Sequence, residues 1–239
     1  MSDYSYEIRK LRRYLEESEK AVFFGGAGVS TDSGIPDFRG SSGIYGGGGA
    51  EYFLSRECLI NEPERFFEFY RENMLYPDAE PNLTHKTLAT LESEGRISAV
   101  ITQNIDGLHQ NAGSENVIEL HGTVNRCYCM KCGRGHPPES ISQSMSIPRC
   151  RCGGIIRPDV TLYGEPLDNE AFGTAEQEIE EADLLIVGGT SLTVNPAASL
   201  ITAFGGTRLV IINLSPTPYD SFAEIVINAP ISEIFEELI

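Results

Sequence analysis

Apolar residues along this chain fall into short continuous runs, separated by longer stretches in which they recur every three or four positions. The runs have strand length and lie at 21–24, 97–102, 117–120, 184–187, 209–212 and 225–227. Most are apolar throughout rather than alternating, the pattern of strands buried on both faces of a parallel sheet. Between them, helical spacing predicts helices over 6–17, 63–74, 84–94, 169–180, 197–204 and 232–238. Pro63 suits a first helical turn, where a missing N–H goes unused, and Asn111-Ala112-Gly113 reads as a helix stop. Strands alternating with helices predict an α/β fold, a Rossmann-like parallel sheet with helices on both faces.

Two segments interrupt the alternation. Residues 41–82 carry a loop and an extra helix, and residues 123–158 carry most of the cysteines without a helical period. Both read as insertions that build a smaller lobe over the ligand edge of the sheet. The sheet domain is then expected from 1–40, 83–122 and 159–239, with 41–82 a loop and helical insertion and 123–158 a small inserted zinc-binding lobe. The run Gly46-Gly47-Gly48-Gly49 has a flexible-linker composition. Two explanations stand side by side, an engineered loop replacement and a naturally mobile lid.

Composition adds the compartment and narrows the partners. The 239 residues are 41% hydrophobic and 22% charged, ordinary for a soluble enzyme of one large domain with a smaller insertion. No apolar run approaches the ~20 residues that span a bilayer, and the N-terminal segment lacks the apolar core of a secretory signal. A cytoplasmic protein without a membrane partner is expected. The net charge of −17 speaks against nonspecific nucleic-acid binding, which needs clustered Lys and Arg. Acidity of this degree serves solubility, and it tolerates a basic peptide partner.

Cysteines 129, 132, 150 and 152 supply the metal chemistry. Cys129-Met130-Lys131-Cys132 is a CxxC knuckle, and Cys150-Arg151-Cys152 follows after 17 intervening residues. Four thiolates close a tetrahedral zinc site with no open position, which makes the expected Zn2+ structural. Cys127 as a substitute ligand, and buried thiols without metal, are the alternatives.

Polar residues at strand ends supply the rest. Gly26-Ala27-Gly28 follows the first strand, where glycines let main-chain N–H groups approach a pyrophosphate; a plain tight turn is the other reading. Gly188-Gly189-Thr190-Ser191 and Asn213 close two further strands, at positions that face the ligand crevice of an open α/β sheet. No strand ends in Asp or Glu about 20 residues after the glycines, as a hydride-transferring Rossmann enzyme would require. Strand 97–102 runs into Gln103-Asn104-Ile105-Asp106, a binding loop or a helix cap. Strand 117–120 ends in His121, a general-base candidate or a packed structural histidine.

The segments GAGVSTDSGIPDFRG, QNID, HG, the paired cysteines, GTSL and INLSPTPYD occur here in the order found in sirtuins, the NAD-dependent protein-lysine deacylases. The chain resembles a bacterial or archaeal-type minimal core of that family over nearly its whole length. The resemblance implies that NAD is consumed as a co-substrate: the acyl oxygen of an acyl-lysine attacks the ribose as nicotinamide leaves, and the acyl group passes to ADP-ribose. By likeness, His121 is the general base and Asn104 a second catalytic group. Ala27, Thr31, Phe38 and Arg39 contact NAD, and Gln103 and Asn104 contact the nicotinamide ribose. Ile105 and Asp106 hold the carboxamide, while Thr190, Ser191, Asn213 and Ala229 take the adenosine half. An extended peptide carrying acetyl-lysine inserts between Val160, Tyr163, Gly164 and Glu165 on one side and Val194 and Asn195 on the other. A monomer is expected.

The chain departs from the family's pattern in places. Gly25 stands for a common threonine, Tyr163 for phenylalanine, and the second cysteine pair is one residue short. Succinyl-preferring members carry Tyr-x-x-Arg where this chain has Tyr70 and Asn73, so acetyl or longer neutral acyl groups are expected. Two rival functions use the same residues: an NAD-binding regulatory protein with weak turnover, and a mono-ADP-ribosyltransferase.

Overall fold

The structure, a computed structural model, describes residues 4–37 and 49–238. Its main sheet has six parallel strands, β1 (Ala21–Gly25), β2 (Ala99–Thr102), β3 (Val117–Glu119), β7 (Leu184–Gly188), β8 (Arg208–Ile212) and β9 (Ile225–Ile227), in the order β3-β2-β1-β7-β8-β9. The chain builds outward from β1 to β3, then returns to the other side of β1 and builds outward again. The direction of winding therefore reverses between β1 and β7, and in open α/β sheets a crevice opens beyond the carboxyl ends of the strands at such a point.

Alternation along the central strands decides which core each residue joins. Ala21 and Phe23 face one layer, with Leu184, Ile186, Val210 and Ile212 from the neighbouring strands. Against it pack α1 (Ser5–Glu17), α5 (Leu83–Ser93) and α9 (Ile231–Glu236), through Leu11, Leu88 and Phe235 among others. Val22 and Phe24 face the opposite layer, where Ala175 and Ile179 of α8 (Asn169–Glu180) pack beside Ala198 and Leu200. Fully burying one such aliphatic or aromatic side chain contributes roughly 1.5–3 kcal/mol. Segment 197–204, expected as an α-helix, is a 3-10 helix over Ala197–Ala203. Over seven residues, apolar spacing does not separate a period of 3.0 from one of 3.6.

The two insertions fold against each other. A three-stranded antiparallel sheet of β4 (Gly122–Cys129), β5 (Gly135–His136) and β6 (Ile156–Val160) runs in the order β5-β4-β6. Its apolar face, with Cys127, Ile156 and Val160, packs on Cys58 and Leu59 of α3 (Arg56–Asn61) and on Phe66, Phe67 and Tyr70 of α4 (Pro63–Asn73). Short helices α2 (Ala50–Phe53) and α7 (Glu139–Ser142) border this cluster. Between β2 and β3, α6 (Leu108–Ala112) is confined to five residues by Gly107 and Gly113, both in the left-handed region. Among the described residues no helix is long and apolar enough to cross a membrane.

Candidate active site

A cavity of about 1060 Å³ lies between the carboxyl edge of the main sheet and the small lobe. Its size slightly exceeds the ~300–1,000 Å³ of ordinary small-molecule sites. On the sheet side it is lined by Ala27 and Thr31 after β1, Gln103, Asn104, Ile105 and Asp106 after β2, and His121 after β3. Thr190, Ser191, Val194 and Asn195 after β7 and Asn213 after β8 also line it, as do Val160 at the end of β6 and Tyr163, Gly164 and Glu165 beyond it. Ala229 does not line the cavity: it is buried in the core, and the lining there begins at Pro230. Phe38, Arg39 and Gly46 to Gly48 lie outside the described residues.

His121 is held by one bond that fixes its proton. Its Nδ1 lies 2.8 Å from the Gln103 carbonyl, and a carbonyl only accepts, so Nδ1 carries the hydrogen. Nε2 of the neutral ring is then left with a free lone pair. Burial pushes the pKa below the ordinary histidine value, against the opposing pull of the Gln103 carbonyl. The ring is therefore neutral at pH 7, the state a general base needs. Gly122, the next residue, has φ +73°, and a Cβ there would overlap the Asp159 carbonyl oxygen. The turn that delivers His121 to the cavity thus requires glycine.

The loop after β2 is wired to the loop after β1 through Ser30. Asn104, 8% exposed, donates from Nδ2 to Ser30 Oγ at 3.0 Å, and Ser30 Oγ donates to Asp106 Oδ2 at 2.7 Å. His85 Nε2 stands 3.4 Å from the same hydroxyl. The Asn82 main-chain N–H donates to His85 Nδ1, so in the neutral ring the proton sits on Nε2 and points at Ser30. Asp106 Oδ1 also accepts the N–H of Leu108, the first residue of α6. The N-cap of that helix is Gly107, so Asp106 lines the cavity and supports the helix start from one residue ahead of the cap. Burial lowers the His85 pKa to about 4, opposed by the Asp106 charge. His109 stacks edge-on against His85 at 4.8 Å, and burial first, then His85, lowers it to about 3.

The glycines after β1 have another role than the one expected of them. The Gly28 N–H donates to the Gly189 carbonyl at 2.8 Å, so it is not free for a phosphate. A Cβ on Gly28 would come within 2.8 Å of Gly189, and one on Gly26 within 2.9 Å of Thr190. The glycines let the β1 and β7 loops touch at the switch point. The main-chain N–H groups of Ala27, Thr190 and Ser191 have no partner among the described residues. These three N–H groups are a donor set that fits a dinucleotide's diphosphate, whereas the Thr31 hydroxyl donates to the Gly28 carbonyl at 3.0 Å and the Ser191 hydroxyl shares a hydrogen bond with that of Thr193 at 2.9 Å. No described lining residue is Lys or Arg. Gln103 Nε2 donates to Thr190 Oγ1 at 3.0 Å and ties β2 to the same loop, while Asn213 Nδ2 donates to the Ser215 carbonyl.

Away from the cavity, the sulfurs of Cys129, Cys132, Cys150 and Cys152 lie within 4.8 Å of one another. The Cys129–Cys152 and Cys132–Cys150 separations are 3.5 and 3.8 Å. Zn–S bonds of about 2.3 Å in a tetrahedron give edges of about 3.8 Å, so the donor set fits zinc. The Lys131 N–H donates to Cys129 Sγ at 3.4 Å, an outer-shell contact that suits a thiolate ligand. Cys127, the alternative ligand, turns into the apolar cluster instead and is not among the four.

The sequence model of the Sir2 family matches residues 26–196. The chain belongs to the Sir2 family. An NAD-dependent protein deacetylase of Cutibacterium acnes is 52% identical over 224 residues, covering 92% of each chain. One of Clostridium acetobutylicum is 50% identical over 240 residues, covering 98% of each. Among solved structures, a Sir2 variant with deacetylated p53 peptide and 3′-O-acetyl-ADP-ribose superposes with a TM-score of 0.90 at 41% identity, over 97% of this chain and 96% of that one. A Sir2 complex with p53 peptide and NAD+ gives 0.86 at 40% identity, over 97% and 96%.

Ser30, which lines this Sir2 cavity, and His85, which bonds Ser30 without lining the cavity, were given no role by sequence reasoning. Ser30 sat inside a quoted motif without a role, and the one available signal for His85 was its place at N3 after Asn82, the spacing of a capping box. Glu165, expected to touch peptide, has its carboxylate bound to Arg157 and to the Leu162 N–H.

Proposed function

We propose that this chain is an NAD-dependent protein-lysine deacetylase, which passes the acetyl or another neutral acyl group of an acyl-lysine to ADP-ribose and releases nicotinamide. One observation carries the reading: a neutral His121, its Nδ1 proton committed to Gln103, offers Nε2 as a base in a cavity that also presents free main-chain N–H donors for a dinucleotide and unpaired main-chain groups in two turns. NAD, when bound, supplies the ribose carbon that loses nicotinamide and whose neighbouring hydroxyl receives the acyl group.

The chain's own residues divide the remaining work. Ala27, Thr190 and Ser191 hold the diphosphate side with main-chain N–H donors, Thr31 borders it, and Gln103 and Asn213 stand on the sheet side of the ribose and adenine positions. Asn104 and Asp106 are fixed by Ser30 and orient the reacting end, a positioning that is worth large factors in rate. His121 Nε2 takes the proton of a ribose hydroxyl. Val160 and Leu162 line the apolar side of the cavity and exclude water. The N–H and C=O of Gly164 and of Asn195, both turn residues, have no partner among the described residues, which leaves two main-chain edges for an extended peptide to join. Cys129, Cys132, Cys150 and Cys152 hold a structural zinc ion outside the chemistry.

One chain supplies every one of these residues, which supports a monomer. Six cysteines without a disulfide suit the reducing cytoplasm. The test is mass spectrometry of an acetyl-lysine peptide incubated with the protein, with and without NAD, beside a His121→Ala variant. Loss of the acetyl mass only with NAD and only with His121 is the expected result. Unchanged turnover in His121→Ala would sink the assignment of the base.

A further inference from the structure

Arg157 is a charged side chain only 5% exposed, and it lies in β6 of the zinc lobe rather than in the cavity. Its guanidinium makes four bonds along the chain ahead of it. Nε donates to the Pro158 carbonyl at 3.1 Å, and Nη2 donates to the Val160 carbonyl at 2.7 Å. Nη1 and Nη2 grip the two Glu165 oxygens at 2.5 and 2.9 Å. Glu165 Oε2 accepts the Leu162 N–H as well, at 3.0 Å. The Tyr128 ring lies 5.6 Å from the guanidinium carbon, on the adjacent strand β4.

The Arg157–Glu165 fork closes residues 157–165 into a ring, and the main chain of Tyr163 is bridged separately, its N–H donating to the Leu54 carbonyl at 3.0 Å and its carbonyl accepting the Arg56 N–H at 2.9 Å. Inside the ring lie Val160 and Leu162, which line the cavity, and Gly164, whose open N–H and C=O form one of the two peptide edges. The ring is joined to the catalytic strand through the Thr161 N–H, which donates to the His121 carbonyl at 2.9 Å. Gly164 takes φ +85°, and a Cβ there would meet nothing within 4 Å, so its own contacts do not hold it in place. A residue with open main-chain groups and no packing must be placed by its surroundings, and the fork is the side-chain link that closes them.

We propose that Arg157 is a positioning residue for the acyl-peptide substrate, its bidentate grip on Glu165 fixing the Gly164 edge at the register the peptide needs. The proposal rests on the deacetylase reading, and it gives the zinc lobe a part in substrate binding distinct from its part in folding. Lysine would keep the charge at this position but lose the planar fork. A buried ion pair replaced at both ends by apolar groups is often tolerated for stability, so the fold and the positioning role can be separated.

The test uses zinc-loaded protein and isothermal titration with an acetyl-lysine peptide and, separately, with NAD, for wild type, Arg157→Lys, and the double variant Arg157→Met with Glu165→Met. Both variants are expected to bind the peptide at least about tenfold more weakly. NAD affinity should stay within about twofold, and one zinc per chain should remain. Amide exchange over 161–165 should accelerate in both. A double variant that keeps its zinc and binds peptide like wild type would overturn the proposal. So would a fall in NAD affinity parallel to that for peptide, which marks general damage, or full peptide binding by Arg157→Lys. Wild-type protein that binds the peptide without deacetylating it defeats the proposed function and leaves this titration to decide on Arg157; wild type that binds no acetyl-lysine peptide defeats both.

Discussion

Ser30 accepts from Asn104 and His85 and donates to Asp106, so one hydroxyl fixes three side chains around the cavity. Its hydrogen bonds run in a single direction because the Asn82 N–H occupies His85 Nδ1. Ser30→Ala removes the centre of this set and leaves a buried amide and a buried imidazole N–H without an acceptor. Each orphaned group costs about 1–3 kcal/mol, so the urea midpoint should fall and deacetylation should fall further, since Asn104 and Asp106 lose their orientation. A Ser30→Ala protein with wild-type kcat would show that the network serves stability alone. His121 gives a second prediction at this scale. Its pKa is depressed by burial, and the neutral ring is the active one. Activity must therefore fall as pH falls, with the acid limb of kcat/KM centred below the ordinary histidine value of about 6.5. An acid limb centred above 6.5 would identify a different base. Removing His121 itself should cost on the order of 10²–10⁴ in rate, the usual share of general-base catalysis.

At the scale of elements, the zinc lobe carries the clearest expectation. It has three strands, of eight, two and five residues, and of the four cysteines that fit a metal Cys129 ends β4 while the other three lie in the connections. Zinc binding is then part of the folding energy of this lobe, while the six-stranded sheet has its own two cores. Prolonged chelation, or Cys132→Ala, should release about one zinc per chain and abolish peptide binding, with far-UV circular dichroism largely kept by the main sheet. Full activity of the zinc-free protein would end the structural assignment. The same contrast explains what could be read in the sequence. All six strands of the main sheet were legible, because strands buried on both faces leave unbroken apolar runs such as Leu184 to Val187. The polar loops at their ends were legible as a crevice for the same reason. Two-residue β5 and four-residue α7 were not, since so few residues carry no period. Nor was the true duty of Gly26 and Gly28, because the β7 loop that they touch lies more than 150 residues away in the chain, and a contact between loops leaves no local pattern.

Across the whole molecule, two opposing charge effects meet on acidification. The formal charge of −17 repels itself in the compact state, and lowering the pH toward the pI near 4.6 relieves that repulsion. Against it stand His85 and His109, buried neutral with pKa values of about 4 and about 3. In the unfolded chain both titrate near 6.5. Between 6.5 and about 4 the unfolded state therefore binds protons that the folded state refuses, and stability drains away as pH falls, by up to about 1.4 kcal/mol per pH unit for each such histidine. Above 6.5 neither ring contributes. Relief of surface repulsion is spread over exposed, salt-screened carboxylates, so the buried pair should prevail at moderate salt. The urea midpoint is then expected to decline from pH 7 to pH 5, a range in which most carboxylates remain ionised. His109→Leu decides the cause: its two ring nitrogens have no hydrogen-bond partner among the described residues, so an apolar side chain removes a titrating group without breaking a bond. That variant should lose a good part of the slope while keeping the midpoint at pH 7 close to wild type. If wild type and His109→Leu decline in parallel, the acid sensitivity arises elsewhere and the neutral pair is not its source.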